Sequence, residues 1–221
     1  MNWRTARLAI IDTETTGIET CRDRVVDLGV VIVENFTIVE RFGWLVNPGV
    51  PIPAEASAIH GITDDMVTNE QPFVEVAFDF AQAVRGCIPV AYNSRFDRSI
   101  LTAEFLRAGF ADPPALFHRG DANAWIDAFV WAKAYNPFAK GKKLGQVAER
   151  FGVELGQAHR AVGDCETTAR VLERLASAEM HDGSKMSETF SDLVLRQRLL
   201  TAQQDADFLK WLIKQPKQEA A

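Results

Sequence analysis

The chain has 221 residues, 47% of them hydrophobic, enough for one sizeable core and in favour of a single domain with a terminal appendage. Thirty acidic against 24 basic residues leave a formal net charge of −6, the wrong sign for holding a polyanion by bulk electrostatics. Cys21, Cys87 and Cys165 form no CxxC or Cys/His pattern, no stretch approaches the roughly 18 apolar residues of a membrane span, and the N-terminus lacks a leader pattern, so a soluble, unsecreted, cytoplasmic protein is expected.

Leu8 to Ile11 reads as a buried strand ending at Asp12, Arg24 to Asn35 as a second strand and Thr37 to Val46 as a third, which together suggest an antiparallel meander. Asn47-Pro48-Gly49 breaks it. Ile52 to Ile59 reads as a short helix running into a turn at His60-Gly61, and Thr63-Asp64-Asp65 can cap the next helical turn. Phe73, Val76, Ala77, Phe80 and Val84 recur at helical spacing, and Ile88 to Tyr92 is a short buried strand ending at Asn93. Phe96, Ile100, Leu101, Phe105 and Leu106 define another helix, stopped by Gly109 and Pro113-Pro114. Trp125-Ile126 begins a last short strand or strand-to-helix turn, with Phe129, Ala132 and Lys133 continuing helically to Asn136-Pro137. Leu144, Val147, Ala148 and Phe151 form one more apolar face, and Ala161 to Ala178, with Val162, Ala169, Leu172 and Leu175 inward, is the final helix of the main domain. Strands first, then strand and helix in alternation, indicate an α/β domain with a mixed sheet. After the polar break His181 to Ser184, Leu195, Leu199, Phe208, Trp211 and Leu212 predict a helical tail that packs on the domain.

Successive strand side chains point to opposite faces, so Asp12 and Glu14 project together from the end of the first strand as hard oxygen ligands. Spacing alone is weak evidence, because about one Asp-x-Glu is expected by chance at this composition and Asp164-Cys165-Glu166 is a second. Context raises the first: an apolar run precedes it, and carboxylates at the mouth of a buried strand are costly unless they are paired or hold cations. Asp97 lies in the first turn of the helix that follows Ile88 to Tyr92, where the helix dipole alone would also favour an acid. His159 and Asp164 stand five residues apart, about 140° if both were helical, so they share a site only if His159 lies in the loop before the helix. Four carboxylates from three elements suit two divalent ions roughly 3.5 to 4 Å apart gripping a phosphate. A histidine beside them can take a proton from water near neutral pH. Any polyanion must then meet those ions, or basic patches such as Arg95/Arg98 and Lys140/Lys142/Lys143.

These segments resemble the motifs of the DnaQ-like (DEDDh) 3'-5' exonuclease family, which includes the proofreading subunit of bacterial DNA polymerase III and exonuclease X. Ile10 to Gly17 resembles the first motif, Asn93-x-x-Phe96-Asp97 the second and His159-x-Ala161-x-x-Asp164 the third. Ala58 to Thr63 resembles the family's His-Gly-Ile-Thr turn, and Leu144 to Gly152 its Leu-x-x-Leu/Val-x-x-x-Phe/Tyr-Gly helix. The resemblance implies a ribonuclease H-like mixed β-sheet flanked by helices over residues 1–180, with a helical tail over 181–221. It makes Asp12, Glu14, Asp97 and Asp164 ligands of two divalent metal ions, Mg2+ or Mn2+, and His159 the general base. It also puts the backbone near Thr13 to Thr15, the His60 turn, the Ile62 side chain and Asn93 against the 3'-terminal nucleotide or scissile phosphate. The implied reaction releases nucleoside 5'-monophosphates from single-stranded DNA 3' ends. RNA trimming, or a non-catalytic role in a replication complex, is the alternative, and a polymerase or repair partner is implied as well. Tyr92 departs from the family's frequent histidine and Asp27 from its usual glutamate, neither expected to touch the five chemical residues. Asp127 is expected to be structural. Asp207 to Leu212 resembles a short terminal segment of exonuclease X-like proteins and is read as a packed helix.

Overall fold

The computed structural model describes residues 1–110, 124–157 and 159–214. The expected meander is present as β1 (Arg7–Thr15), β2 (Val25–Glu34) and β3 (Thr37–Leu45), each antiparallel to the next. β4 (Ile88–Ala91) and the two-residue β5 (Ile126–Asp127) run parallel to β1, which gives a mixed sheet in the order β3-β2-β1-β4-β5.

The sheet core is buried on both faces, which is why β1 and β2 read as nearly continuous apolar runs rather than alternating ones. In β1, Leu8 and Ile10 face one layer and Ala9 and Ile11 the other. The first layer is built from α5 (Ala128–Tyr135), α6 (Leu144–Arg150) and α7 (Ala161–Ser177), with Trp131, Val147, Cys165, Ala169 and Leu172 packed on the strands. The second comes from α3 (Phe73–Ala83) and α4 (Ser94–Arg107), through Phe73, Phe80, Ile100 and Phe105. Each such side chain contributes about 1.5–3 kcal/mol by leaving water.

Between β3 and α3, α1 (Ala54–His60) ends at Gly61, whose φ of 73° is left-handed, and α2 (Asp64–Val67) follows. Thr63 is the N-cap of α2, but its side chain makes no capping bond, and the Asp64 carboxylate instead accepts from the Ile52 N–H at 3.0 Å. Gly109, also left-handed at φ 85°, follows α4 as expected, whereas Pro113-Pro114 lies outside the described residues.

The tail forms α8 (Phe190–Lys214), but its apolar spacing identified the wrong face. Leu195, Leu199, Phe208, Trp211 and Leu212 are exposed, and the helix docks through buried Leu193 and Val194 together with Gln197 and Gln204. Gln197 bonds three groups: its Oε1 accepts from the Asp127 N–H at 2.8 Å and the Trp131 Nε1–H at 3.0 Å, and its Nε2 donates to the Trp125 carbonyl at 2.8 Å. Polar residues that dock by hydrogen bonding leave no trace in a hydrophobic pattern. No helix among the described residues is long and apolar enough to cross a membrane.

Candidate active site

Asp12 and Glu14 continue the side-chain parity of Leu8 and Ile10, so they emerge half-buried on the face that carries α7. Thr13 continues the opposite parity, and its Oγ1 donates to Asp97 Oδ1 at 2.9 Å. A register shift between Glu14 and Thr15 ends the regular pairing there.

Opposite Asp12 in the β1–β2 ladder stands Gly29, where a Cβ would come within 2.4 Å of the Ala161 backbone carbon, so only glycine lets the start of α7 press onto the sheet beside Asp12. Gly163 is needed for a second close approach, since a Cβ there would lie 2.1 Å from the Gln157 carbonyl oxygen. Opposite Glu14 stands Asp27, whose Oδ2 accepts from the Arg160 Nε–H at 3.0 Å and the Ala161 N–H at 3.3 Å. Asp27 therefore ties β2 to the first residues of α7, and its hydrogen bonds go to Arg160 and Ala161 rather than to any of the five chemical residues. This tie follows from cross-strand register, which no local motif reveals.

His159 lies in the loop immediately before α7, the placement helical geometry required. Its backbone is left-handed at φ 58°, an uncommon state for a residue with a side chain, and its N–H donates to Asp164 Oδ2 at 3.3 Å. The side chain is exposed, and ligand atoms of Glu14, His159 and Asp164 all lie within 4.8 Å of one another.

Asp97 comes from the first turn of α4 and is only 3% exposed. The entry to that helix is fixed by Asp127 at the end of β5. Asp127 Oδ1 accepts from the N–H groups of Asn93 (3.2 Å), Phe129 (3.0 Å) and Val130 (3.3 Å), and Oδ2 from the N–H and Oγ–H of Ser94, both at 2.9 Å. One carboxylate thus caps α5 and braces the start of α4, which bears out its structural reading. Asn93 takes a left-handed conformation at φ 73°, and the residue is exposed.

Electrostatics joins these acids into one cluster. Burial pushes the Asp12 carboxyl well above its usual range, and the charges of Asp97, Asp164, Glu14 and Asp27 push it further. Glu14 is pushed up to about 7 by burial and then by Asp164, Asp27 and Asp97, with Arg160 opposing. Asp97 also rises to about 7 through burial, despite the opposing hydrogen bond from Thr13. Asp164 is raised by burial against the bond from His159. Acids gathered this closely, with Asp12 and Glu14 raised by the charges of the others, form a donor set suited to hard cations.

Of the residues expected to contact a nucleotide, His60 lies beside the site. Its Nδ1 accepts from the Ile62 N–H at 3.1 Å, its buried Nε2 has no hydrogen-bond partner among the described residues, and burial lowers its pKa. The Ile62 side chain does not meet expectation: it is 0% exposed, packed with Val26, Ile52, Ala56 and Val67, and offers no surface to a nucleotide. Thr13 and Thr15 are buried, the latter donating from Oγ1 to the Gly17 carbonyl at 2.6 Å. Tyr92 packs against Phe129 with the rings tilted at 58° and donates its hydroxyl to the Lys142 carbonyl.

The sheet order with helices on both faces is that of the ribonuclease H-like exonuclease fold. The RNase T exonuclease family model matches residues 9–172, and the chain belongs to the DnaQ-like 3'-5' exonuclease family. It is 35% identical over 156 residues to DNA polymerase III subunit epsilon of Treponema pallidum, covering 69% of this chain and 68% of that protein. It is 34% identical over 174 residues to the 3'-5' exonuclease DinG of Bacillus subtilis, covering 76% of this chain but spanning only 18% of the DinG length. Among solved structures, exonuclease X in complex with 5' overhanging duplex DNA is similar at 30% identity and a TM-score of 0.57, over 75% of this chain and 88% of that one.

Proposed function

We propose that the protein is a metal-dependent 3'-5' exonuclease acting on single-stranded DNA 3' ends and releasing nucleoside 5'-monophosphates. The observation that carries this reading is the convergence of Glu14, Asp164 and His159 within 4.8 Å, inside a cluster that also contains Asp12 and Asp97. Asp12, Glu14, Asp97 and Asp164 would hold two divalent cations, Mg2+ or Mn2+. Those cations would supply Lewis-acid polarisation of the scissile phosphate and offset the charge of the acids. His159 takes the proton from the attacking water: its side chain is exposed to solvent, and its backbone is held by Asp164. Thr13 positions Asp97, and Asp27 positions the loop that carries His159. Asn93 and the His60 turn border the terminal nucleotide. Likeness to a polymerase III subunit supports association with a replicative polymerase as part of the same reading.

The test is a 5'-labelled oligonucleotide incubated with Mg2+ or Mn2+ and resolved at single-nucleotide spacing. A ladder shortening from the 3' end, absent when that end is blocked, is the expected result. Cleavage that persists on the blocked strand overturns the exonuclease assignment, and faster shortening of a matched RNA transfers the substrate to RNA.

A further inference from the structure

Between α5 and α6 the chain reverses its overall charge. Residues 136–150 carry Lys140, Lys142, Lys143 and Arg150 against one acid, Glu149, in a protein whose net charge is −6. Phe138 stands in the same loop with its side chain 80% exposed. We propose that this loop is a second nucleic-acid contact, in which the four cations hold backbone phosphates and Phe138 stacks on a base, outside the carboxylate site. The inference rests on the exonuclease reading for its substrate class and adds a surface that this reading does not use.

Strand register places the loop. Leu8, Ala9 and Ile10 of β1 lie across from Ile88, Pro89 and Val90 of β4. Continuing that register brings Tyr92, the first residue past β4, alongside Asp12, with the two strands about 4.8 Å apart. Tyr92 packs with Leu8 and Ile10 on the face of the sheet that carries α7, and its hydroxyl donates to the Lys142 carbonyl. One tyrosine side chain thus ties the basic loop to the strand next to Asp12.

The charge of the loop is not neutralised by acids. Among the described residues none of the four cations pairs with a carboxylate. Lys142 Nζ donates to the carbonyls of Pro137 and Ala139, and Arg150 Nη2 donates to the Lys140 carbonyl. Those neutral acceptors hold the cations in place and leave their charge intact. Burial, followed by the charges of Arg150 and Lys133, lowers the pKa of the Lys142 ammonium, so cations crowd one another here. Lys133 is itself offset by Asp127 and Asp205. The Phe138 ring meets His181 edge to face at 5.0 Å and stays largely open to solvent. An exposed aromatic ring beside cations is the combination that binds single strands, with bases on the ring and phosphates on the cations. An acidic protein fits less well, because Phe138 is the one large apolar side chain from Asn136 to Lys143 and a protein partner relies on a cluster of buried anchors.

Fluorescence anisotropy of a 5'-labelled single-stranded 12-mer, without divalent metal and between about 50 and 200 mM salt, tests the proposal. Lys140→Gln/Lys143→Gln removes two exposed charges whose side chains bond nothing among the described residues. The slope of log K against log salt should fall by about 1.4, and Lys140→Arg/Lys143→Arg should keep it. Phe138→Ala should raise Kd about fivefold or more at every salt concentration and leave the slope alone, since stacking releases no counterions. Lys210→Gln/Lys214→Gln takes the same charge from the end of α8 and should leave the slope unchanged. A full slope in Lys140→Gln/Lys143→Gln, an equal fall in the α8 pair, or full affinity in Phe138→Ala overturns the proposal. Because binding is read without turnover, a protein that leaves 3' ends intact but shows these slopes keeps the loop contact and loses the exonuclease reading. Normal shortening of 3' ends by a protein with unaltered slopes does the reverse.

Discussion

Asp127 ends β5 and Asp12 lies near the end of β1, with only β4 between these parallel strands, yet the two carboxylates live in opposite surroundings. Asp127 is met by five donors from two helix starts. Asp12 is met by the charges of Asp97, Asp164, Glu14 and Asp27. Glu104 on α4 repeats the first pattern: it is 1% exposed and receives Arg24 Nε–H at 2.7 Å and the Val25 N–H at 3.1 Å. Saturated acids hold the scaffold, whereas the acids around Asp12 are those that, on the proposed reading, would hold an external cation. The burial of an acid says less about its task than the groups aimed at it.

Three substitutions or conditions separate the two kinds of acid. The largest effect is expected at the repelling end: Asp12→Asn should lower exonuclease turnover by about 10²-fold or more, beyond the range seen when a ligand's supporting partner is lost. The same change should raise the melting temperature of metal-free protein at pH 8, since it removes one of several like charges. A variant that loses activity and stability together breaks the comparison.

Next comes the response to metal. Glu14 and Asp97 sit near 7 in the folded chain, above about 4 for free carboxylates, so the metal-free fold loses stability as pH rises from about 4 through 7. Divalent cations should reverse that loss by binding the deprotonated acids, so that Mn2+ stabilises more at pH 8 than at pH 6. At a hundredfold excess over Kd the gain is about 2.7 kcal/mol, readable by calorimetry. Equal gains at both pH values contradict the coupling. The smallest effect belongs to the saturated end, where Asp127→Ala should destabilise by about 1–2 kcal/mol through lost capping, measured by urea unfolding. If that variant gains stability, Asp127 belongs with the repelling set.

The strand run ending in Asp12 and Glu14 was legible because both the burial of β1 and the parity of its side chains are local properties. His159 was legible for a different reason: a five-residue separation from Asp164 forbids a shared helical face, which forces the histidine into the preceding loop. Asp27 was not, since its partners Arg160 and Ala161 lie more than 130 residues away and meet it only through the register of β1 and β2. Ile62 was misplaced because a turn motif fixes the backbone but not which side chain the neighbouring cluster buries. The inner face of α8 was hidden by polar residues that dock through hydrogen bonds.

Gln197 gives that docking a further meaning. Its amide accepts from one residue of the edge strand and donates to another two positions earlier, the pairing an added strand would make. One side chain thus closes the outer edge of β5 along Trp125 to Asp127, where unpaired groups would invite another chain to extend the sheet. The tail helix thereby occupies, at Trp125 and Asp127, the backbone groups through which a further strand would add.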